Sequence, residues 1–134
     1  MPTSGRGARR VAVLITQRVW RAEVERFDSR SPARLAAERE RPRLESNGLA
    51  LADLRRCEAE AADGTRLVGL VKVYVPIGDA PPSERPYAFV LSPAHGEPIP
   101  ALALVAFGER HPRRGVRSVY ERAHKRLHGR YPDQ

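Results

Sequence analysis

Residues 110–131 concentrate side chains that can transfer protons and stabilise negative charge. Cleavage of RNA through its 2′-hydroxyl needs a base for that hydroxyl, a cation for the charged phosphorane, and an acid for the leaving oxygen. Arginine, histidine, lysine and tyrosine can fill these roles without a metal ion. We therefore predict four candidate catalytic residues here: Arg110, His111, Tyr120 and His124.

Tyr120, His124 and His128 recur every fourth residue, so a helix places them on one face. This spacing also fits a structural role, in which Tyr120 and His124 pack at the edge of the core. A histidine pair can hold a metal ion only with a third ligand. That ligand would be a carboxylate or one of three distant residues, His95, His111 and Cys57. We predict no metal and no cofactor, because the common nucleotide-binding, serine hydrolase and zinc protease motifs are absent.

The net charge of +8 on these 134 residues lies at the two ends of the sequence. Residues 1–10 contribute +3, residues 107–134 contribute +5, and the central part is neutral. A localised basic segment favours a polyanion over a small acidic metabolite. However, 22 of the 24 basic residues are arginine. The alternative is therefore that a coding bias raised the arginine content and that the basic end is merely solvated.

We predict that nucleic acid is the partner, with RNA or the ribosome favoured over DNA. The predicted contacts are seven basic residues: Lys72, Arg113, Arg114, Arg117, Lys125, Arg126 and Arg130. No apolar run is long enough to span a membrane or to form a secretory signal. We therefore expect a cytoplasmic protein without a membrane partner.

Strand and helix signals alternate along the chain. The run VAVLIT after Arg10 is typical of a buried strand, and Thr16 can cap a helix with Trp20, Val24 and Phe27 on one face. Ser31 and Pro32 predict the start of a second helix, which Pro42 should end or kink. Asn47–Gly48 then predicts a turn, and residues 49–62 fit either a helix or a strand.

Asp63–Gly64 favours a hairpin that joins strands 55–61 and 65–75. In the second of these strands, alternation places Val71, Val73 and Val75 on one face and Leu70, Lys72 and Tyr74 on the other. A proline-rich loop, two more strands and a last helix that starts near Ser118 follow. We predict one α+β domain over residues 10–129, between a disordered basic tail (1–9) and a short tail (130–134). Its antiparallel or mixed sheet has four to five strands, with two N-terminal helices and one C-terminal helix.

The segments ALALVAFGERHP and TRLVGLVKVYV resemble sheet strands of the RelE/ParE toxin superfamily, which are small basic α+β proteins. The first resembles the final strand of that family, where an apolar run ends in basic residues beside the active cleft. The resemblance implies that Lys72, Arg110 and His111 line the cleft and that Tyr120 or His124 completes it. It also implies ribosome-dependent mRNA cleavage, or no nuclease activity in the gyrase-poisoning branch, and an antitoxin as partner.

The sequence thus favours a RelE/ParE-like toxin that acts as a metal-independent mRNA endonuclease. The alternative is a non-catalytic module that binds nucleic acid or a protein through the basic C-terminal helix. A purely structural or assembly protein is a third possibility, and binding that is insensitive to salt would favour it. Whether the chain is an enzyme stays open at the level of sequence.

Overall fold

The computed structural model describes residues 10–50, 54–57, 70–94 and 101–128. The helices are α1 (Gln17–Glu23), α2 (Pro32–Asn47) and α3 (Val119–Leu127). The strands are β1 (Arg10–Leu14), β2 (Leu49–Ala50), β3 (Arg55–Arg56), β4 (Val71–Tyr74), β5 (Tyr87–Ala94) and β6 (Ala101–Glu109). None of the helices in the described ranges has the length and apolar character needed to cross a membrane.

The strands form one mixed sheet in the order β2-β1-β6-β5-β4-β3. Only the pairing of β1 with β6 is parallel, and all the other described pairings are antiparallel. The α+β class and the three helices are confirmed, but the prediction of four to five strands was wrong, because the described residues form six. The extra strand is β2, which has only two residues and is too short for a periodic pattern to reveal, whereas β3 lies within the predicted strand 55–61.

Each helix begins at the side-chain cap that local sequence predicts. The hydroxyl of Thr16 accepts from the Val19 N–H at 3.3 Å, and that of Ser31 accepts from the Arg34 N–H at 3.2 Å. Ser118 and Glu121 form a reciprocal capping box at the start of α3. These bonds satisfy backbone donors that have no partner within the first helical turn.

Helix α1 ends earlier than its predicted apolar face, and α2 does not end at Pro42. Helix α1 ends at Glu23, so Phe27 reaches the core from the turn that follows and packs edge-on against Phe107. Helix α2 continues through Pro42 to Asn47. The proline removes the donor to the carbonyl of Glu38, but both residues are exposed, so solvent can take that bond.

Other expectations lie outside the described residues. They concern the two tails, most of the predicted hairpin with its Asp63–Gly64 turn, and the end of the last helix at Gly129. The antiparallel pairing of β3 with β4 is described and matches the two strands of that hairpin.

The sheet separates two apolar clusters. One face packs against α1 and α2 and buries Trp20, Val24, Phe89 and Phe107. The other face packs against α3 and buries a smaller set that includes Ala88, Val90, Val119, Tyr120 and Ala123. The predicted alternation in β4 is confirmed, since Val71, Val73 and Val75 belong to the first cluster and Leu70 and Tyr74 to the second.

A bulge in β6 directs its side chains to both clusters. Val90 pairs with Ala106, whereas Leu91 pairs with Leu104, so Val105 is an extra residue between them. Val105 and Ala106 consequently both face α3, and the next residue, Phe107, returns to the α1 side. The bulge thereby provides apolar contacts to the helices on both faces.

A buried carboxylate joins α1, β6 and α3. Within the described residues, the pairing of β1 with β6 ends at Ala103. Beyond that residue, α1 covers the edge of β6. The Glu23 side chain, which is completely buried, accepts from the Phe107 N–H at 3.1 Å. It also binds Arg122 at 2.8 Å and Arg126 at 2.6 Å. Glu23 therefore replaces a neighbouring strand and anchors α3.

Opposing effects act on the pKa of Glu23. Burial alone would raise it, but hydrogen bonds and charge from Arg122, a hydrogen bond from Arg126 and the Phe107 N–H outweigh burial. The net effect holds the pKa of Glu23 below its ordinary value of 4.5. The carboxylate is therefore charged at neutral pH and matches the two guanidinium groups.

We expect Glu23→Ala to lower the free energy of unfolding by about 3–5 kcal/mol, because two partly or fully buried arginines would lose their carboxylate. Urea unfolding followed by circular dichroism measures this change. Glu25→Ala is the matched control, since Glu25 is exposed and lies two residues away. A loss below about 1 kcal/mol in Glu23→Ala would contradict a central role for the carboxylate.

Stability should also depend on the protonation of Glu23. Its lowered pKa means that its contribution is complete above about pH 4.5 and decreases as the pH falls through the folded-state value. We expect Glu23→Gln to flatten the acid limb of the stability profile relative to Glu25→Gln. An NMR titration of the Glu23 carboxyl in the wild type gives a second measurement, and a midpoint above 4.5 would overturn this expectation.

Candidate nucleic-acid interface

Three basic side chains surround one tyrosine on the sheet face that carries α3. The guanidinium carbon of Arg110 lies 3.8 Å from the centre of the Tyr74 ring, that of Arg55 lies at 5.0 Å, and Lys72 Nζ lies at 5.5 Å. Lys72 Nζ also lies 5.2 Å from the centre of the Tyr120 ring. We call these five residues, Arg55, Lys72, Tyr74, Arg110 and Tyr120, the cation–tyrosine surface.

Strand register accounts for most of this arrangement. Arg55 on β3 is directly opposite Lys72 on β4, so their side chains share a face. Tyr74 is two residues beyond Lys72 and lies on the same face. Its partner on β5 is Ala88, whose small side chain leaves space for an aromatic ring. Helix α3 adds Tyr120 from above this face.

Arg110 follows the end of β6 and is held by the proline-rich loop. Its backbone N–H donates to the Pro86 carbonyl at 2.8 Å, and Nη1 donates to the Arg85 carbonyl at 2.7 Å. A longer contact joins Nη1 to the Ser83 carbonyl at 3.4 Å. The Nε atom of Arg110 is buried and has no hydrogen-bond partner. The loop thus fixes the guanidinium over Tyr74.

The positive charges of this surface meet no ion-paired carboxylate within the described ranges. Among the described residues, none of Arg55, Lys72 and Arg110 forms an ion pair with a carboxylate. Each cation–π contact is worth about 0.5–1 kcal/mol at an exposed site, but it leaves the charge in place. Three like charges around one ring therefore repel one another, and a bound anion would relieve that repulsion.

Two predicted catalytic residues are mostly buried. Tyr120 is 6% exposed and His124 is 5% exposed, and both face the interior from α3. The rings of His124 and His128 have centroids 4.4 Å apart. Their burial agrees with the structural role that the helical spacing also allowed. Of the two buried residues Tyr120 and His124, it is Tyr120 whose ring lies against Lys72.

Four predicted residues are exposed on the connection between β6 and α3: His111, Arg113, Arg114 and Arg117. Lys125 on α3 is half-buried. Arg126, predicted as a nucleic-acid contact, instead points inward to Glu23 and is 6% exposed. This burial removes Arg126 from the accessible basic surface. Arg130 lies outside the described residues.

Two members of the cation–tyrosine surface, Arg55 and Tyr74, were missing from the predicted site. The alternation in β4 placed Tyr74 on the same face as Lys72, and this signal could have identified it. Arg55 depends on the register of β3 against β4, and the exact register is not encoded in either strand alone.

The described residues contain no group of three or more His, Cys, Asp or Glu that could hold a metal ion. His95 lies outside these residues. Cys57 is buried beside the surface, and burial raises the pKa of its thiol to about 11, although the positive charge of Lys72 acts in the opposite direction. The thiol is therefore protonated at neutral pH and is a poor nucleophile.

Comparisons of the chain with family models, with curated proteins and with solved structures gave no significant match. The resemblance to the RelE/ParE superfamily therefore stays a prediction.

We expect inorganic phosphate to stabilise the wild type more than the Arg55→Ala/Lys72→Ala double variant, with sodium chloride added to equal ionic strength. At about ten times its Kd, a bound anion adds roughly 1.4 kcal/mol, or about 5 °C for a chain of this size. Thermal unfolding measures the increment that phosphate produces in each protein, so differences in intrinsic stability cancel.

Arg18→Ala/Arg39→Ala is the matched control, because it removes two exposed charges on α1 and α2. Phosphate also stabilises proteins in general, because it is excluded from their surface. This general effect acts on the wild type and on both variants alike, so it does not produce a difference between their increments. Equal increments in all three proteins would show that the cation–tyrosine surface does not bind phosphate.

Proposed function

We propose that this chain binds RNA through its phosphate groups at the cation–tyrosine surface and cleaves it as a metal-independent endoribonuclease of the RelE/ParE kind. The observation that carries the proposal is the group of three cations around Tyr74, without an ion-paired carboxylate among the described residues. A phosphodiester is an anion of matching charge, and a phosphorane carries more negative charge than the diester.

The surface offers candidate groups for charge stabilisation and for one of the two proton transfers that cleavage requires. The ribose 2′-oxygen attacks phosphorus as it gives its proton to a base, and the bond from phosphorus to the 5′-oxygen breaks as that oxygen gains a proton. Lys72 and Arg110 would stabilise the charge on the phosphorane. Tyr120, beside Lys72, is the candidate for proton transfer. The products are a 2′,3′-cyclic phosphate and a 5′-hydroxyl.

The exposed arginines of the β6–α3 connection extend the positive surface. Arg113, Arg114 and Arg117 are all exposed, and they would contact phosphates away from the scissile bond. Messenger RNA on the ribosome is the proposed substrate, which requires a cytoplasmic protein. An antitoxin that neutralises this surface would have to present carboxylates to Arg55, Lys72 and Arg110.

The proposal predicts cleavage of a reporter mRNA in a translation reaction by the wild type. Loss of one charge-stabilising group typically lowers the rate by about 10²–10³-fold, so we expect such a loss in Lys72→Ala. Tyr120→Phe should lose about 10²-fold or more if its hydroxyl transfers a proton. Primer extension locates the cuts, and analysis of the fragment ends detects the cyclic phosphate.

Two controls sharpen this measurement. Arg39→Ala should cleave as the wild type does, because Arg39 is exposed on α2 away from the surface. An mRNA with 2′-deoxyribose at the cut position should resist cleavage, since the attacking hydroxyl is missing. The nuclease proposal is wrong if the wild type makes no cut or if the fragments carry a 5′-phosphate. It is also wrong if Lys72→Ala cleaves as fast as the wild type.

The burial of Tyr120 and His124 favours a second function, RNA binding without cleavage. In that case RNA binding would persist while no cuts form. Lys72→Ala should then weaken binding for all sequences and reduce the slope of log K against log salt by about 1. Filter binding between about 50 and 200 mM salt measures this slope, and a slope near zero for wild type would exclude phosphate contacts.

A further inference from the structure

A cavity of about 240 Å³ lies on the α2 side of the sheet, opposite the face that carries the cation–tyrosine surface, and the two meet at the edge of β4. It lies between α2 and the end of β4, where the register of β3 no longer covers the edge of β4 in the described residues. Its apolar wall includes Leu44, Val75 and Phe89, all of which are buried. Its volume is near the lower limit for small-molecule sites and suits one flat ring system with its substituents.

The cavity and the cation–tyrosine surface share Arg55 and Tyr74. A ligand in the cavity therefore lies next to Arg55, which lines the cavity and is one of the three cations that would bind a phosphate. A nucleotide combines these two parts, because its base is flat and partly apolar and its phosphate is anionic.

Glu40 on α2 adds a carboxylate to the cavity wall. Its side chain is 18% exposed, and its ion-pair partner Arg43 is 3.8 Å away with a side chain that is 72% exposed. A pair this long and this exposed contributes little, so the carboxylate can accept hydrogen bonds from a ligand. A ligand that covers this half-buried carboxylate without donating to it would leave a costly unsatisfied acceptor, which makes Glu40 selective.

A carboxylate distinguishes the bases by the donors on their Watson–Crick edges. Guanine presents two adjacent N–H donors, which match the two oxygens of a carboxylate. Uracil presents one N–H between two carbonyl oxygens, and these oxygens would repel the carboxylate. Adenine and cytosine offer one amino group beside an acceptor nitrogen.

We propose that this cavity binds a single unpaired base of the RNA next to the phosphate held by Arg55 and Lys72, and that Glu40 selects guanine. The inference rests on the proposed function of the same surface, because the phosphate of this nucleotide occupies the cation–tyrosine surface. Single-stranded RNA is required, since the Watson–Crick edge must be open to the carboxylate.

Binding of short RNA oligonucleotides that contain one guanosine in a uridine background tests the selection. We expect the wild type to prefer such an RNA over oligouridine by at least about fivefold, as is usual for a paired donor–acceptor contact to a base. In Glu40→Gln the preference should fall to less than about half its wild-type value while oligouridine binding persists. Glu38→Gln is the matched control, because Glu38 is more exposed on the same helix and pairs with Arg34.

Two measurements separate this inference from the proposed function. The first is the binding comparison above. If the protein binds guanosine and uridine oligonucleotides equally, or if the preference is unchanged in Glu40→Gln, the base site is overturned. RNA binding itself would then still support phosphate contacts at the cation–tyrosine surface. In the second, guanosine monophosphate is titrated into the labelled full chain and NMR shifts are followed at Leu44, Val75 and Phe89. Saturable shifts at these three residues support the base site even without RNA binding, whereas the absence of such shifts overturns it.

Discussion

The buried carboxylate of Glu23 is the interaction on which the arrangement of the helices depends. Its two oxygens bind a backbone N–H of β6 and the side chains of Arg122 and Arg126 on α3. One side chain thus connects an edge of the sheet with helices on its opposite faces. Moving three charges from water into the interior costs desolvation free energy. Their mutual attraction and hydrogen bonds offset this cost only when every partner is present. That requirement fixes α3 against β5 and β6 and so places the Tyr120 ring over Lys72.

Arginine serves two opposite purposes in this chain. Arg122 and Arg126 meet a carboxylate and stabilise the fold, whereas Arg55 and Arg110 face an aromatic ring and keep their charge unneutralised by described carboxylates. The total charge does not separate these roles, because every arginine counts equally in it. Burial and the partner of each guanidinium decide which residues can contact an anion.

Local signals in the sequence predicted local structure well. Thr16, Ser31 and Ser118 were identifiable as helix caps because a cap involves only three or four consecutive residues. Strand β2, the bulge at Val105 and the role of Glu23 were not predictable, since each depends on residues that are distant in the chain. The same limit applies to the candidate site. Lys72, Arg110 and Tyr120 were chosen by residue type and are brought together, but Arg55 depends on strand register and Arg126 was lost to an ion pair with α1.

The parallel pairing of β1 with β6 has a consequence for how the chain folds. Ala12 is beside Ala101 in the sheet, and Glu23 must find partners on a helix that begins at Val119. Contacts between segments so far apart in sequence give the domain a high contact order, which slows folding. During synthesis, α1 would emerge long before its partners, with an apolar face and an unpaired carboxylate. The nascent N-terminal part is therefore the segment most in need of protection from aggregation, and the cation–tyrosine surface is complete only once α3 has been made.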